Sequence, residues 1–131
     1  MTPIMDTRKP TLLISDDDPA LAAVISRYAQ AIGFETVCDT KSNVVALARA
    51  FQPDLILLDL RQQVDGRDLL ASLKRDPLTR EVKVVVLAGV EDQHTRHLCF
   101  ELGAIDYEVE PFDPFIGRKL LKLLEGSPTR H

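Results

Sequence analysis

The chain has 131 residues, of which 45% are hydrophobic and 27% charged, which suits one globular domain and excludes a disordered segment. Its 16 basic and 20 acidic residues leave a net charge of -4, which excludes a generally basic nucleic-acid binder. No apolar run reaches the length of a membrane span, and the opening MTPIMDTRKP lacks the apolar stretch of a signal peptide. The expected setting is therefore cytoplasmic, with no nucleic-acid or membrane partner.

Five apolar strand segments alternate with five helical ones. The first strand is predicted at Thr11–Ser15, and a helix follows with Asp18 as its cap and Pro19 in its first turn. Leu21, Val24, Ile25, Tyr28 and Ile32 draw one apolar stripe along that helix, and Gly33 stops it. A shorter, more polar strand at Phe34–Cys38 reads as a sheet edge. Val44, Leu47, Ala48 and Phe51 mark the second helix. The third strand, Leu55–Leu58, is entered through Pro53-Asp54, and Leu69, Leu70 and Leu73 mark a short third helix stopped at Asp76-Pro77. The fourth strand is Val82–Leu87, and the fourth helix, about 92–102, has Leu98 and Leu102 as its clearest anchors. The last strand lies near Ile105–Val109, and the last helix starts at Asp113-Pro114 and buries Ile116, Leu120, Leu123 and Leu124. Residues 1–10 and 126–131 read as tails around a domain at 11–125. Cys38 and Cys99 are expected as core or half-core thiols, and His94 with His97 as a surface pair, since no third metal ligand lies near them.

Near-continuous Val, Ile and Leu in the first, third and fourth strands indicate burial on both faces, hence a parallel sheet between two helix layers. The alternation predicts a doubly wound α/β domain with a five-stranded sheet, whose functional crevice lies at the carboxyl ends of its strands. Asp16, Asp17 and Asp18 follow the first strand, Asp59 the third, Ala88-Gly89 the fourth and Glu110-Pro111 the fifth. Asp18 is accounted for as the helix cap; Asp16 and Asp17 are not. Two unit charges ~5 Å apart repel by about 3 kcal/mol at an effective dielectric near 20. A hard divalent cation with oxygen ligands relieves such crowding, and Mg²⁺ suits it.

From Thr11 to Leu124 the chain resembles the receiver domain of two-component response regulators. The stretches that carry the resemblance are LLISDDDPAL, PDLILLDL, Asp65-Gly66 and GAIDYEVEPF, in that order and spacing. The resemblance implies strand order 2-1-3-4-5 and phosphoryl transfer from a histidine kinase or phosphotransfer protein to one aspartate. Position by position, Asp59 matches the phosphoacceptor, and Asp16 and Asp17 match the acidic pair that holds Mg²⁺. The backbone carbonyl of Arg61 matches a further metal ligand. Tyr107 matches the aromatic switch residue, and Pro111 the proline of a cis peptide.

The chain departs from that pattern at three places. Ala88 stands where the family carries Thr or Ser, and Glu110 where it carries Lys. The loop Leu60–Gly66 lacks a usual proline and looks one residue short. In the family, the hydroxyl and the ammonium contact the phosphoryl group and so supply the free energy that switches the domain. Ala88 donates nothing, and Glu110 repels if it points inward. It can instead face solvent or pair with Arg61 or Arg67 from the adjacent loop.

Two readings follow for a non-enzymatic signalling protein. One is a single-domain receiver with weak, atypical phosphorylation-dependent switching. The other is a phosphorylation-independent pseudo-receiver that acts as a protein-interaction module. Either would dock a downstream protein through the face of the fourth helix, fifth strand and fifth helix, which carries His94, Arg96, His97, Glu101, Arg118, Lys119 and Lys122. The chain ends about seven residues after its last helix, so no appended DNA-binding domain is expected, and a monomer or weak homodimer is. The Asp16-Asp17-Asp18 run superficially fits the start of a haloacid-dehalogenase-type phosphatase motif. That motif wants Thr or Val where Ala20 stands, and the rest of its context is missing.

Overall fold

In the computed structural model, the structure describes residues 8–110 and 116–125. Strands and helices alternate as β1 (Thr11–Ser15), α1 (Pro19–Ala31), β2 (Glu35–Asp39), α2 (Val44–Phe51), β3 (Leu55–Asp59), α3 (Gly66–Arg75), β4 (Lys83–Ala88), α4 (Gln93–Leu102), β5 (Asp106–Val109) and α5 (Ile116–Glu125). The sheet is parallel throughout, in the order β2-β1-β3-β4-β5, so the polar strand is indeed an edge.

The period-two alternation of the strands sorts the core into two layers. Leu13, Ile56, Leu58, Val84 and Val86 face one way and pack with Val44, Ala48, Leu69, Leu70, Leu73 and Cys99 of α2, α3 and α4. Leu12, Ile14, Leu55, Leu57, Val85 and Leu87 face the other way and pack with Ala22, Ile25, Ala29 and Leu120 of α1 and α5. Each fully buried aliphatic side chain stabilises the fold by about 1.5–3 kcal/mol. The strand ends are thereby held rigidly, which is what an edge-on site requires.

Local chemistry fixes the helix ends. Asp18 caps α1, its Oδ1 accepting from the N–H groups of Ala20 and Leu21. Asp65 caps α3 by accepting from the Arg67 N–H. Three details correct the sequence expectations. In α1, Val24 and Tyr28 are exposed, and the buried face is Ala22, Ile25 and Ala29, because small residues let the helix sit close to the sheet. Phe51 of α2 is likewise exposed. In α4 the fully buried anchor is Cys99; Leu98 is half-buried, and Leu102 packs against the core from its edge. Cys38, by contrast, is exposed.

Several strand boundaries fall one residue later than the apolar runs suggest, so Asp59 and Ala88 are the last residues of their strands. Of the expected N-terminal tail, Pro10 is tied down by the Glu35 N–H, which donates to its carbonyl. Pro111 and its cis-peptide expectation, the Asp113-Pro114 helix start, the Ile116 side chain and the 126–131 tail lie outside the described residues.

Candidate functional site

Register builds the site. Ser15 pairs with Leu58, so Asp16 and Asp59 come next in line on neighbouring strands. Asp59 pairs with Leu87, and Ala88 with Val109, so Ala88 and Glu110 continue the same row. The Glu110 N–H donates to the Ala88 carbonyl at 2.8 Å, which extends the β4–β5 ladder to the crevice. One carboxylate oxygen from each of Asp16, Asp59 and Glu110 lies within 4.8 Å of the others. Asp17 is exposed and stands outside this group.

Asp16 and Asp59 are buried, at 1% and 5% exposure. Burial pushes the Asp59 carboxyl up to about 7; the Arg61 N–H, donating to Oδ1 at 3.1 Å, opposes this, and the charges of Asp16 and Glu110 reinforce it. Burial also raises Asp16, against the Asp18 N–H that donates to its Oδ1 at 2.9 Å. Asp16 Oδ2 is buried without a hydrogen-bond partner. An oxygen-only group with an unmet buried acceptor fits a hard divalent cation such as Mg²⁺.

The β1–β2–β3 side of the crevice is closed by hydrogen bonds that sequence reading did not foresee. The Gln62 amide nitrogen donates to the Asp59 carbonyl at 2.7 Å and to the Ser15 carbonyl at 3.2 Å. Its oxygen accepts from the Ser42 hydroxyl at 2.9 Å. Asp39, buried at the end of β2, accepts from the Ser15 hydroxyl and from the N–H groups of Lys41 and Asn43. Ending the second strand at Cys38 hid this acid from the rule that exposed the others; Gln62 leaves no sequence signal at all. Gly66 packs where a Cβ would meet the Leu60 Cα at 2.5 Å and the Asp59 carbonyl at 2.7 Å, which explains the glycine of Asp65-Gly66.

The β4–β5 side differs. Ala88 contributes only a methyl group. Arg61 crosses the opening, its guanidinium donating to Glu110 Oε1 at 2.8 Å. A Cβ on Gly89 would lie 2.4 Å from the Arg61 Cζ, so the guanidinium lies directly on that glycine. Of the two arginines expected as partners of Glu110, the second, Arg67, pairs with Asp65 instead. Beside this lies a cavity of about 500 Å³ lined by Leu60, Arg61, Arg67, Ala88, Thr95 and Tyr107. Tyr107 is buried; its hydroxyl donates to the Val90 carbonyl at 3.2 Å, and the Arg96 guanidinium stacks 5.3 Å from its ring centroid. On the neighbouring face, His97 lies 3.5 Å from Glu101, and Lys119 bridges Asp106 and Glu108.

A parallel sheet in the order 2-1-3-4-5, with an acidic crevice at its carboxyl edge, defines a flavodoxin-like α/β domain. Comparison with known proteins carries the assignment further. The response regulator receiver domain family matches residues 12–122, and the chain belongs to that family, the receivers of two-component signalling. It is 37% identical to the DNA-binding dual master transcriptional regulator RpaA of Synechocystis over 108 residues, 79% of this chain and 44% of that protein. It is 36% identical to the DNA-binding response regulator MtrA of Mycolicibacterium smegmatis over 112 residues, 84% of this chain and 48% of that protein. The chain thus spans about half the length of the curated relatives it matches. Among solved structures, a Chloroflexus aurantiacus protein described as a response regulator superposes with a TM-score of 0.83 at 26% identity, covering 91% of this chain and 99% of that one. The Vibrio cholerae chemotaxis protein CheY4, at 20% identity and a TM-score of 0.79, covers 92% of this chain and 99% of its own, and shares the fold. Among the described residues, no helix is long and apolar enough to cross a membrane.

Proposed function

We propose that the chain accepts a phosphoryl group on Asp59 from a histidine kinase or phosphotransfer protein in the cytoplasm, and that its conformational response to that group is weak. The observation that carries this reading is the pairing of buried Asp59 with Asp16, whose Oδ2 has no partner, at the carboxyl edge of the sheet. Asp16, Asp59 and the Arg61 carbonyl would hold Mg²⁺, with Asp17 at the rim. Bound there, the ion would neutralise charge on the transferring oxygens and favour ionised Asp59.

A carboxylate oxygen of Asp59 attacks phosphorus. A P–O bond forms as the P–N bond to the donor imidazole breaks, and the electron pair of that bond leaves with the donor. The Arg61 N–H orients the acceptor by holding its Oδ1. The chain is a phosphoryl acceptor and relay, not a turnover enzyme. The weak response follows from the departures. Ala88 has no hydroxyl, and Glu110 adds negative charge where the family has a cation. A charge-assisted hydrogen bond contributes about 1.5–3 kcal/mol, comparable to a typical coupling of about 1–3 kcal/mol. Output passes to a downstream protein at the α4–β5–α5 face.

One observation favours the second reading, a phosphorylation-independent interaction module. Tyr107 is already sealed inward, held by Val90 and Arg96 without any hydroxyl at position 88. Intact-mass spectrometry after incubation with acetyl phosphate and Mg²⁺ separates the two. A phosphoryl adduct on the wild type and none on Asp59→Asn is the expected result. No adduct, with Mg²⁺ shown to bind, leaves the second reading standing.

A further inference from the structure

The family's phosphoryl-binding ammonium is missing here, yet a cation does reach the acidic group. Arg61 rises from the loop after β3, pairs with Glu110 at 2.8 Å and lies flat on Gly89. Its main-chain N–H is bonded to Asp59 Oδ1, so the side chain pivots from a backbone fixed beside the acceptor. We infer that Arg61 is the phosphoryl-holding cation of this crevice, parked on Glu110 until a phosphoryl group approaches Asp59. This inference rests on Asp59 accepting phosphate as proposed above.

Four physical points carry it. The Arg61 side chain is 68% exposed against 20% for Glu110, so the guanidinium is the partner free to exchange one anion for another from the solvent side. A guanidinium offers a planar fork of donors that matches phosphoryl oxygens, and a dianionic phosphoryl group outbids a single carboxylate for it. Gly89 leaves the space that this flat group needs at the end of β4, next to the position where a hydroxyl would otherwise donate. Glu110 lies within 4.8 Å of the Asp59 and Asp16 oxygens, so the guanidinium has only to slide along the acidic row. The cation then belongs to the acceptor's own loop and not to β5. Phosphate held this way frees Glu110 instead of drawing β5 inward, which fits a weak conformational response.

The test compares wild type with Arg61→Ala, Arg61→Lys, Glu110→Gln and Gly89→Ala in time courses of adduct formation with limiting acetyl phosphate and Mg²⁺. Arg61→Ala is expected to slow uptake about tenfold or more, the value of one charge-assisted contact, and Arg61→Lys to recover part of it. Glu110→Gln is expected to speed uptake by releasing the guanidinium, and Gly89→Ala to slow it by displacing the same group. Calorimetric titration with Mg²⁺ alone should show no weaker binding in Arg61→Ala, which separates loss of a phosphoryl contact from loss of metal. With beryllofluoride and Mg²⁺, the Arg61 side-chain N–H resonance should shift in wild type. Uptake by Arg61→Ala at the wild-type rate overturns the inference while the phosphoacceptor reading stands. Equal slowing in Arg61→Ala and Glu110→Gln makes the pair merely structural and overturns it too. No adduct on any variant, wild type included, removes both.

Discussion

The two sides of the crevice are built on different principles. On the β1–β2–β3 side, Asp59, Ser15, Asp39 and Gln62 are buried or half-buried and joined by a closed set of hydrogen bonds from both main and side chains. On the β4–β5 side, the same row of strand ends offers a methyl group, a bare glycine and a carboxylate, spanned by one exposed arginine. The Gln62 bonds that tie the Ser15 and Asp59 carbonyls together involve no side chain of the second side. If Asp59 accepts phosphate as proposed, the groups that hold it and the groups that would answer to the phosphate can be altered one side at a time.

The contrast predicts unequal costs of mutation. Gln62→Ala strips partners from the Ser42 hydroxyl, the Ser15 carbonyl and the Asp59 carbonyl. Unsatisfied buried groups cost about 1–3 kcal/mol each, so a loss of ~2 kcal/mol or more is expected in urea unfolding. Arg61→Ala removes a pair whose arginine is largely exposed and should cost less than ~1 kcal/mol. A larger loss at Arg61 than at Gln62 would reverse the assignment of scaffold and latch.

Protonation sharpens the same division. The folded crevice raises Asp59 to about 7 against an ordinary value of 3.8, so folding favours its protonated form. The stability this contributes is complete below about pH 4 and is lost as pH rises through about 7. Metal-free protein should therefore lose Tm across that window, and Asp59→Asn should flatten the slope. Mg²⁺ should raise Tm more at pH 8 than at pH 5, since it binds the ionised form. A Tm that rises with pH in metal-free protein would show that the acidic group is not destabilised by its own charge.

Restoring the missing groups probes the other side. Ala88→Thr with Glu110→Lys supplies a hydroxyl donor and a cation on β4 and β5. Ala88 borders the 500 Å³ cavity, so the larger side chain has room. The double variant should show a larger acetyl-phosphate-dependent change in Tyr107 fluorescence than wild type. No gain would mean that Val90 and Arg96, and not the lost donors, keep Tyr107 still.

How much of this was legible follows from what each feature depends on. Strand and helix types, the two-layer sheet and the acidic row follow from apolar periodicity and from the rule about strand ends, which need only local sequence. The α1 stripe was drawn by side-chain size; its buried face is set by how closely Ala22 and Ala29 let the helix approach, a tertiary property. Glu110 is legible as a departure, but its partner only as one of two arginines, Arg61 or Arg67. Arg61 and Arg67 are equivalent in sequence, and only the position of Asp65 at the α3 cap draws Arg67 away. Gln62 was invisible, because an amide bonding to three different segments has no signature in any one of them.

That equivalence supplies the prediction with the smallest expected effect. Arg61 and Arg67 line the same cavity and carry the same charge. If phosphoryl uptake responds only to the positive field of the loop, Arg67→Ala should slow it nearly as much as Arg61→Ala. If contact decides, Arg67→Ala should leave the uptake rate unchanged within about twofold, because its fork is already taken by Asp65. Its stability change should also stay within ~0.5 kcal/mol, as for an exposed residue on a helix already capped by the Asp65 side chain. Raising the ionic strength sharpens the comparison. A field effect fades once the Debye length falls below ~10 Å, whereas a contact between a guanidinium and phosphoryl oxygens at Asp59 is screened much less. Uptake that differs between the two arginine variants at low salt and still differs at high salt places the effect at Arg61 itself.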